Sequence, residues 1–128
     1  MNNKAHTLER LAQYQALPLS LKISLSKRRI RGWVYVYGTD ASVVLMTFSP
    51  ESTVLLHMVN SLYPDVKVAF EFKTGMKPIT SWMASADVSG IDEWLTYGCN
   101  SYDAEQPVSK PMSFWNKEDV YEYLRTVI

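Results

Sequence analysis

The stretch VVLMTFSPESTVLLHMV, residues Val43 to Val59, decides how the chain folds. Val43 to Phe48 is an apolar run of strand length, which suits a strand buried on both faces, as in a parallel sheet. Ser49 follows as a good helix N-cap, with Pro50 at the first helical position and Glu51 in the first turn. Val54, Leu55, Met58, Val59 and Leu62 then recur on one helical face until Pro64 stops the helix. In α/β proteins a strand, a tight turn and a helix often cradle a phosphate at the helix start. Yet the turn from Phe48 to Thr53 contains no glycine, lysine or arginine.

Outward from this unit, Val66 to Phe72 reads as a second strand, and β-helix-β implies two parallel strands joined by a right-handed crossover. Towards the N-terminus, Thr7 caps a short helix carrying Leu8, Leu11 and Ala12 at helical spacing, and Pro18 separates it from the next element. That element is a helix from Leu19 to Tyr37, with Leu21, Leu25 and Ile30 facing inward and Gly38 as its terminating glycine. Gly32 and the run Trp33-Val34-Tyr35-Val36-Tyr37 weaken its last two turns. Thr39-Asp40 is a turn. Towards the C-terminus, Ile79 to Met83 reads as a third strand, Ile91 to Leu95 as a short helical turn, and GCNSYDAEQPVSKP (98–111) as loop. Asn116 caps a final helix, with Asp119 in capping-box spacing and Val120, Tyr123 and Leu124 pointing inward.

The 128 residues have the length of one domain, and 47% hydrophobic content is ample for one core. Thirteen basic residues balance thirteen acidic ones, so the net charge gives no electrostatic case for nucleic acid or a membrane surface. The single cysteine, Cys99, excludes an internal disulfide framework and a cysteine-rich metal site. The first twenty residues hold no long apolar run, and no segment approaches the ~20 apolar residues of a membrane span. A soluble, cytoplasmic protein is therefore the expectation.

Three stretches together carry a family likeness: LPLSLKISLSKRRIRGW (17–33), STVLLHMVNSLYPDV (52–66) and WLTYGCNSYDAEQPVSKPMSFWNKEDVYEYL (94–124). They resemble the phosphoadenosine phosphosulfate reductase family of the adenine-nucleotide α-hydrolase-like superfamily, particularly the versions in phages and gut bacteria. The first two stretches match the family's opening helix and the helix after its nucleotide loop. The third matches a later region with the pattern PLSxW…DVxxYI. The resemblance implies a parallel sheet flanked by helices.

The chain departs from that family at the residues that would hold its ligand. The family's loop reads Ser-Gly-Gly-Lys-Asp-Ser between a Phe and a Thr. Here Phe48, Ser49, Ser52 and Thr53 match the flanks, and Pro50-Glu51 alone stand where Gly-Gly-Lys-Asp belongs. Glycines let the backbone aim several N–H groups at a pyrophosphate, whereas proline has no N–H to offer. Glu51 also puts a negative charge at the helix N-terminus, worth roughly 0.3–1 kcal/mol against the dipole, in the role of the missing phosphate. A middle block of the family is absent, because VKVAFEF (66–72) runs almost directly into KTGMKPITSWMASADVSGIDEW (73–94). Met83-Ala84-Ser85 leads into Ala86-Asp87-Val88-Ser89 without the family's arginine, and no arginine occurs between Arg31 and Arg125. Arginine is the usual bidentate partner of sulfate and phosphate. Cys99 stands in Gly-Cys-Asn, not in the Glu-Cys-Gly-x-His setting of the family's reactive cysteine, so that role does not transfer.

Each remaining candidate has a plain structural reading. Ser49, Pro50, Glu51, Ser52 and Thr53 read as an ordinary helix cap. His57 lies among apolar residues and reads as a satisfied, partly buried histidine with no second ligand at metal spacing. Asp92-Glu93 and Asp103/Glu105 read as surface charge. Lys27, Arg28, Arg29 and Arg31 form the one dense basic patch, a solvated helix face or else a contact for nucleic acid or an acidic protein surface. Among the aromatics Trp82, Trp94, Tyr97, Tyr102, Phe114 and Trp115, most belong in a core. A shortened domain nevertheless strips partners from some of them and leaves an apolar patch for a protein partner or a second copy of the chain.

The expected fold is thus a small, three-layer-like α/β domain over residues 1–128, with a short, mainly parallel sheet flanked by helices: a trimmed reductase fold. The expected function is non-enzymatic, without cofactor or metal. It is that of an enzyme scaffold redeployed to bind a protein through Lys27, Arg28, Arg29, Arg31, Trp82, Trp94, Tyr97 and Tyr102. The phage likeness points to inhibition of a host defence nucleoprotein complex in the host cytoplasm, as an anti-CRISPR protein does. Direct nucleic-acid or membrane binding is not expected. The competing reading is a residual adenine-nucleotide or sulfonucleotide binder.

Overall fold

A computed structural model describes residues 6–70, 83–84, 86, 88, 91–102 and 107–128. The architecture is α/β, with helices around a short sheet that is parallel except at one edge. Helix α1 (Leu8–Gln15) starts at Thr7, whose hydroxyl accepts from the Arg10 N–H at 3.1 Å. Helix α2 spans Leu19–Tyr37 and ends at Gly38, which adopts φ 82 where a side chain would be strained. The expected weakening at Gly32 does not interrupt it. Trp33 is buried and packs on Tyr37 one turn later, with ring centroids 4.5 Å apart, so packing overrides propensity.

The inward face of α2 differs from the apolar expectation. Leu21 is half exposed and Leu25 only partly buried, while Lys22, Ser26, Ile30 and Trp33 form the buried stripe. Ser26 fits because its hydroxyl donates to the Pro111 carbonyl and accepts from Trp115 Nε1, each at 2.8 Å. Lys22 fits because Asp119 receives its ammonium.

Strand β1 spans Val43–Met46 and helix α3 spans Pro50–Leu62. Strand β2 (Lys67–Phe70) pairs in parallel with β1, Val43 opposite Lys67 and Met46 opposite Phe70, as the β-helix-β reading requires. β1 ends earlier than expected, because Phe48 takes φ 62, turns out of the sheet and is exposed. Strand β3 (Met83–Ala84) lies on the other side of β1, also parallel. Of the third strand expected over 79–83, residues 79–82 lie outside the described residues, as do 71 and 72 at the end of the second.

After helix α4 (Ile91–Tyr97), the segment expected to be loop contributes two short strands, β4 (Asn100–Ser101) and β5 (Val108–Ser109). β5 runs parallel to β3, and β4 closes the edge antiparallel to β5, giving the order β2-β1-β3-β5-β4. Two-residue strands carry too little periodicity to be seen in sequence. Helix α5 (Lys117–Thr126) begins at Asn116, whose N–H donates to Asp119 Oδ2 at 2.8 Å. Val54, Leu55, Met58 and Val59 of α3 meet Val120 and Tyr123 of α5, together with Phe114 and Trp115, in the core. No helix among the described residues is long and apolar enough to cross a membrane.

Candidate functional site

In open parallel sheets ligands sit beyond the carboxyl ends of the strands. Here that place is the turn after β1 and the end of β2. The turn is closed on itself. Ser49 Oγ accepts from the Ser52 N–H at 3.1 Å. Ser52 Oγ, fully buried, accepts from the N–H groups of Ser49 at 3.2 Å and Thr47 at 3.3 Å. Thr53 sends both its N–H and its hydroxyl to the Ser49 carbonyl, at 3.1 and 3.0 Å. Pro50 has no N–H. Of the first four helical positions, only Glu51 keeps an N–H not used within the turn, and its carboxylate stands at the same helix end. The reading of Ser49–Thr53 as a helix cap holds.

Beside this cap stand two aromatic rings. Phe48 (67% exposed) and Phe70 (50% exposed) stack with centroids 5.5 Å apart and planes 18° from parallel. Among the described residues β2 lies at the edge of the sheet, and Val68 shows on the same side of it as Phe70. The sequence placed the exposed aromatics elsewhere. Trp94 is corrected: it is buried, its indole N–H donating to the Thr7 carbonyl at 2.8 Å. Phe114 and Trp115 are core. Tyr102 is half exposed, with its ring stacked near those of Trp33 and Tyr37. Tyr97 belongs to α4, nothing further of it being described, and Trp82 lies outside the described residues. Phe48 and Phe70 carry no sequence signal, since both sit in apolar runs that read as buried strand.

The basic run does not form one face. Arg28, Arg29 and Arg31 are exposed and Lys27 is half-buried. Arg29 turns towards a cleft shared with His6, Arg10, Tyr14, Cys99 and Asn100. Asp92 is exposed on α4, whereas 103–106 lie outside the described residues.

His57 Nδ1 lies 2.7 Å from the Tyr123 hydroxyl, joining α3 to α5, so this half-buried histidine has a structural partner. Burial pushes the Tyr123 phenol above its ordinary pKa. Burial also pushes the Cys99 thiol up, outweighing its hydrogen bond with Ser113, 3.5 Å away, and the nearby Arg29 charge. A thiol held neutral is a poor nucleophile. Among the described residues no group of three His, Cys, Asp or Glu is placed to hold a metal ion.

No protein-family model matches the chain, and no curated protein matches it.

Proposed function

We propose that this chain is a non-enzymatic, protein-binding descendant of the phosphoadenosine phosphosulfate reductase fold, docking its partner on the Phe48–Phe70 pair. One observation carries this reading. At the carboxyl ends of β1 and β2 the turn's hydroxyls are spent on its own backbone, while two stacked rings face solvent beside it. A phosphate needs the donors, and a partner protein needs the rings. Aromatic side chains are enriched at protein interfaces and supply much of their binding energy. The likeness to phage-borne reductases suggests a host defence nucleoprotein complex as the partner class, with inhibition as the outcome. The competing reading, residual adenine-nucleotide binding, draws support from the same rings, because near-parallel aromatics offer a surface on which a base can stack.

A thermal-shift titration with ATP and phosphoadenosine phosphosulfate separates the two. A ligand at a hundred times its Kd stabilises by about 2.7 kcal/mol, a shift of several degrees for this size of domain. No saturable shift is expected at millimolar nucleotide, and one that disappears in Phe48→Ser would overturn the proposal. In parallel, co-purification of tagged chain from its host should yield a partner that Phe48→Ser/Phe70→Ser loses and Arg28→Glu retains. Identical recovery with both variants would sink the aromatic pair as the docking site.

A further inference from the structure

A second hollow lies away from the strand ends, where α1, α2 and the α4–β4 junction meet. It encloses about 200 Å³ and is walled by Tyr14 and Trp94, with Arg10, Arg29, Asn100 and Tyr102 around it. Its shape is built by specific contacts. Tyr14 and Trp94 meet edge to face at 5.6 Å, and His6 packs edge-on against the Trp94 indole. Gly98 adopts φ 65 directly beneath the His6 imidazole, where a Cβ would collide with the ring. Asn100 is held from two sides: its Nδ2 donates to the Arg29 carbonyl at 2.9 Å, and its Oδ1 accepts from Ser109.

Among the described residues that line this hollow the charge is one-sided. Arg10 comes from α1, its guanidinium 6.0 Å from the centre of the Tyr14 ring, and Arg29 comes from α2, its guanidinium beside the Cys99 thiol. None of the described residues around the hollow is acidic. Among the described residues the one ion pair is Lys22–Asp119, so neither arginine is neutralised by a described carboxylate. The two arginines line the hollow from separate helices, and an oxyanion held there can accept planar N–H pairs from their guanidiniums. Tyr102 adds a neutral donor. Its hydroxyl accepts from Asn100 Nδ2 at 3.1 Å, which leaves its own hydrogen to donate.

We propose that this hollow binds a small oxyanion, a carboxylate or a phosphate group, held by Arg10 and Arg29 with the Tyr102 hydroxyl as a third donor. Its volume lies below the roughly 300–1,000 Å³ of drug-sized pockets, so the ligand is a small acid or phosphomonoester. This site is separate from the Phe48–Phe70 pair and does not depend on it.

The test is a titration of isotope-labelled protein with inorganic phosphate and, separately, succinate, read by amide NMR at ionic strength matched with sodium chloride. Saturable shifts are expected at Arg29 and across Gly98–Tyr102. Arg10→Gln and Arg29→Gln should each weaken binding about tenfold or more, as expected for losing a charged hydrogen bond. Arg28→Gln, which leaves the hollow intact, should bind as the wild type does. Phosphate binding more tightly than succinate identifies a phosphoryl ligand, and the reverse order a carboxylate. Absence of saturation with both anions, or equal weakening by Arg28→Gln and Arg10→Gln, overturns the proposal. Arg10 is exposed on α1, so its variant reports even where Arg29→Gln does not fold.

Discussion

Lys22 and Asp119, 97 positions apart in the chain, meet at 2.6 Å between Nζ and Oδ2. The lysine side chain is 1% exposed and the aspartate 13%. The same carboxylate oxygen caps α5 by accepting from the Asn116 N–H. One oxygen therefore ties the start of α5 to the first turns of α2. Removing one partner of a buried pair strands the other, at a typical cost of about 3–5 kcal/mol. Asp119→Ala is expected to lose that much in urea unfolding, since it strands an ammonium and removes a cap. Lys22→Met should cost less, because Asp119 keeps its backbone partner and some solvent. Equal losses below about 1 kcal/mol for both would mean that the ammonium is hydrated.

The turn after β1 is next. Ser52→Ala removes the acceptor of two backbone N–H groups at a fully buried position. A loss of about 2 kcal/mol is expected, from the penalty on unpaired buried donors. Ser49→Ala should cost about 1 kcal/mol, as for a lost N-cap. Chemical denaturation of the two variants checks the order, and a Ser52 effect smaller than that of Ser49 would contradict the closed arrangement.

Phe48 holds φ 62, a region that costs a residue with a β-carbon roughly 1–2 kcal/mol. Phe48→Gly releases that strain. It also loses the stack on Phe70, about 0.5–1.5 kcal/mol, and adds unfolded-state entropy. These terms nearly cancel, so stability should stay within about 1 kcal/mol of the wild type while partner binding is lost. A large destabilisation with binding retained would show that the ring serves the fold.

Alkaline stability follows from Cys99 and Tyr123, both with pKa raised by burial in the folded state. Their stabilising contribution is complete below the ordinary pKa values. Above roughly pH 8.5 the unfolded chain gives up the thiol proton first, and the contribution falls until the folded pKa is passed. Urea midpoints should therefore decline from about pH 8.5 upward. Cys99→Ala, which cannot ionise there, should flatten the first part of the decline, and an unchanged pH profile in that variant would rule the thiol out.

The elements legible in the sequence are those whose signal is local. Thr7, Ser49 and Asn116 start helices because their side chains or neighbours satisfy donors within three residues, and Gly38 ends one through its own φ. Val43–Met46, α3 and β2 follow from apolar spacing and a turn too short for any topology but a parallel pair. That the turn at Pro50-Glu51 holds no glycine or lysine is likewise a local fact, and it fits a turn built as a cap.

Tertiary structure alone decided which side chains face water. Lys22 and Ser26 look solvated until Asp119, Pro111 and Trp115 arrive from the far end of the chain to satisfy them. Trp94 looks available until α1 covers it, and Phe48 looks buried until a left-handed residue turns it outward. Arg10 and Arg29 share a hollow only because α1, α2 and the α4–β4 junction converge. Burial and charge pairing depend on partners distant in sequence, whereas caps and periodicity depend on neighbours, and a single sequence records only the latter.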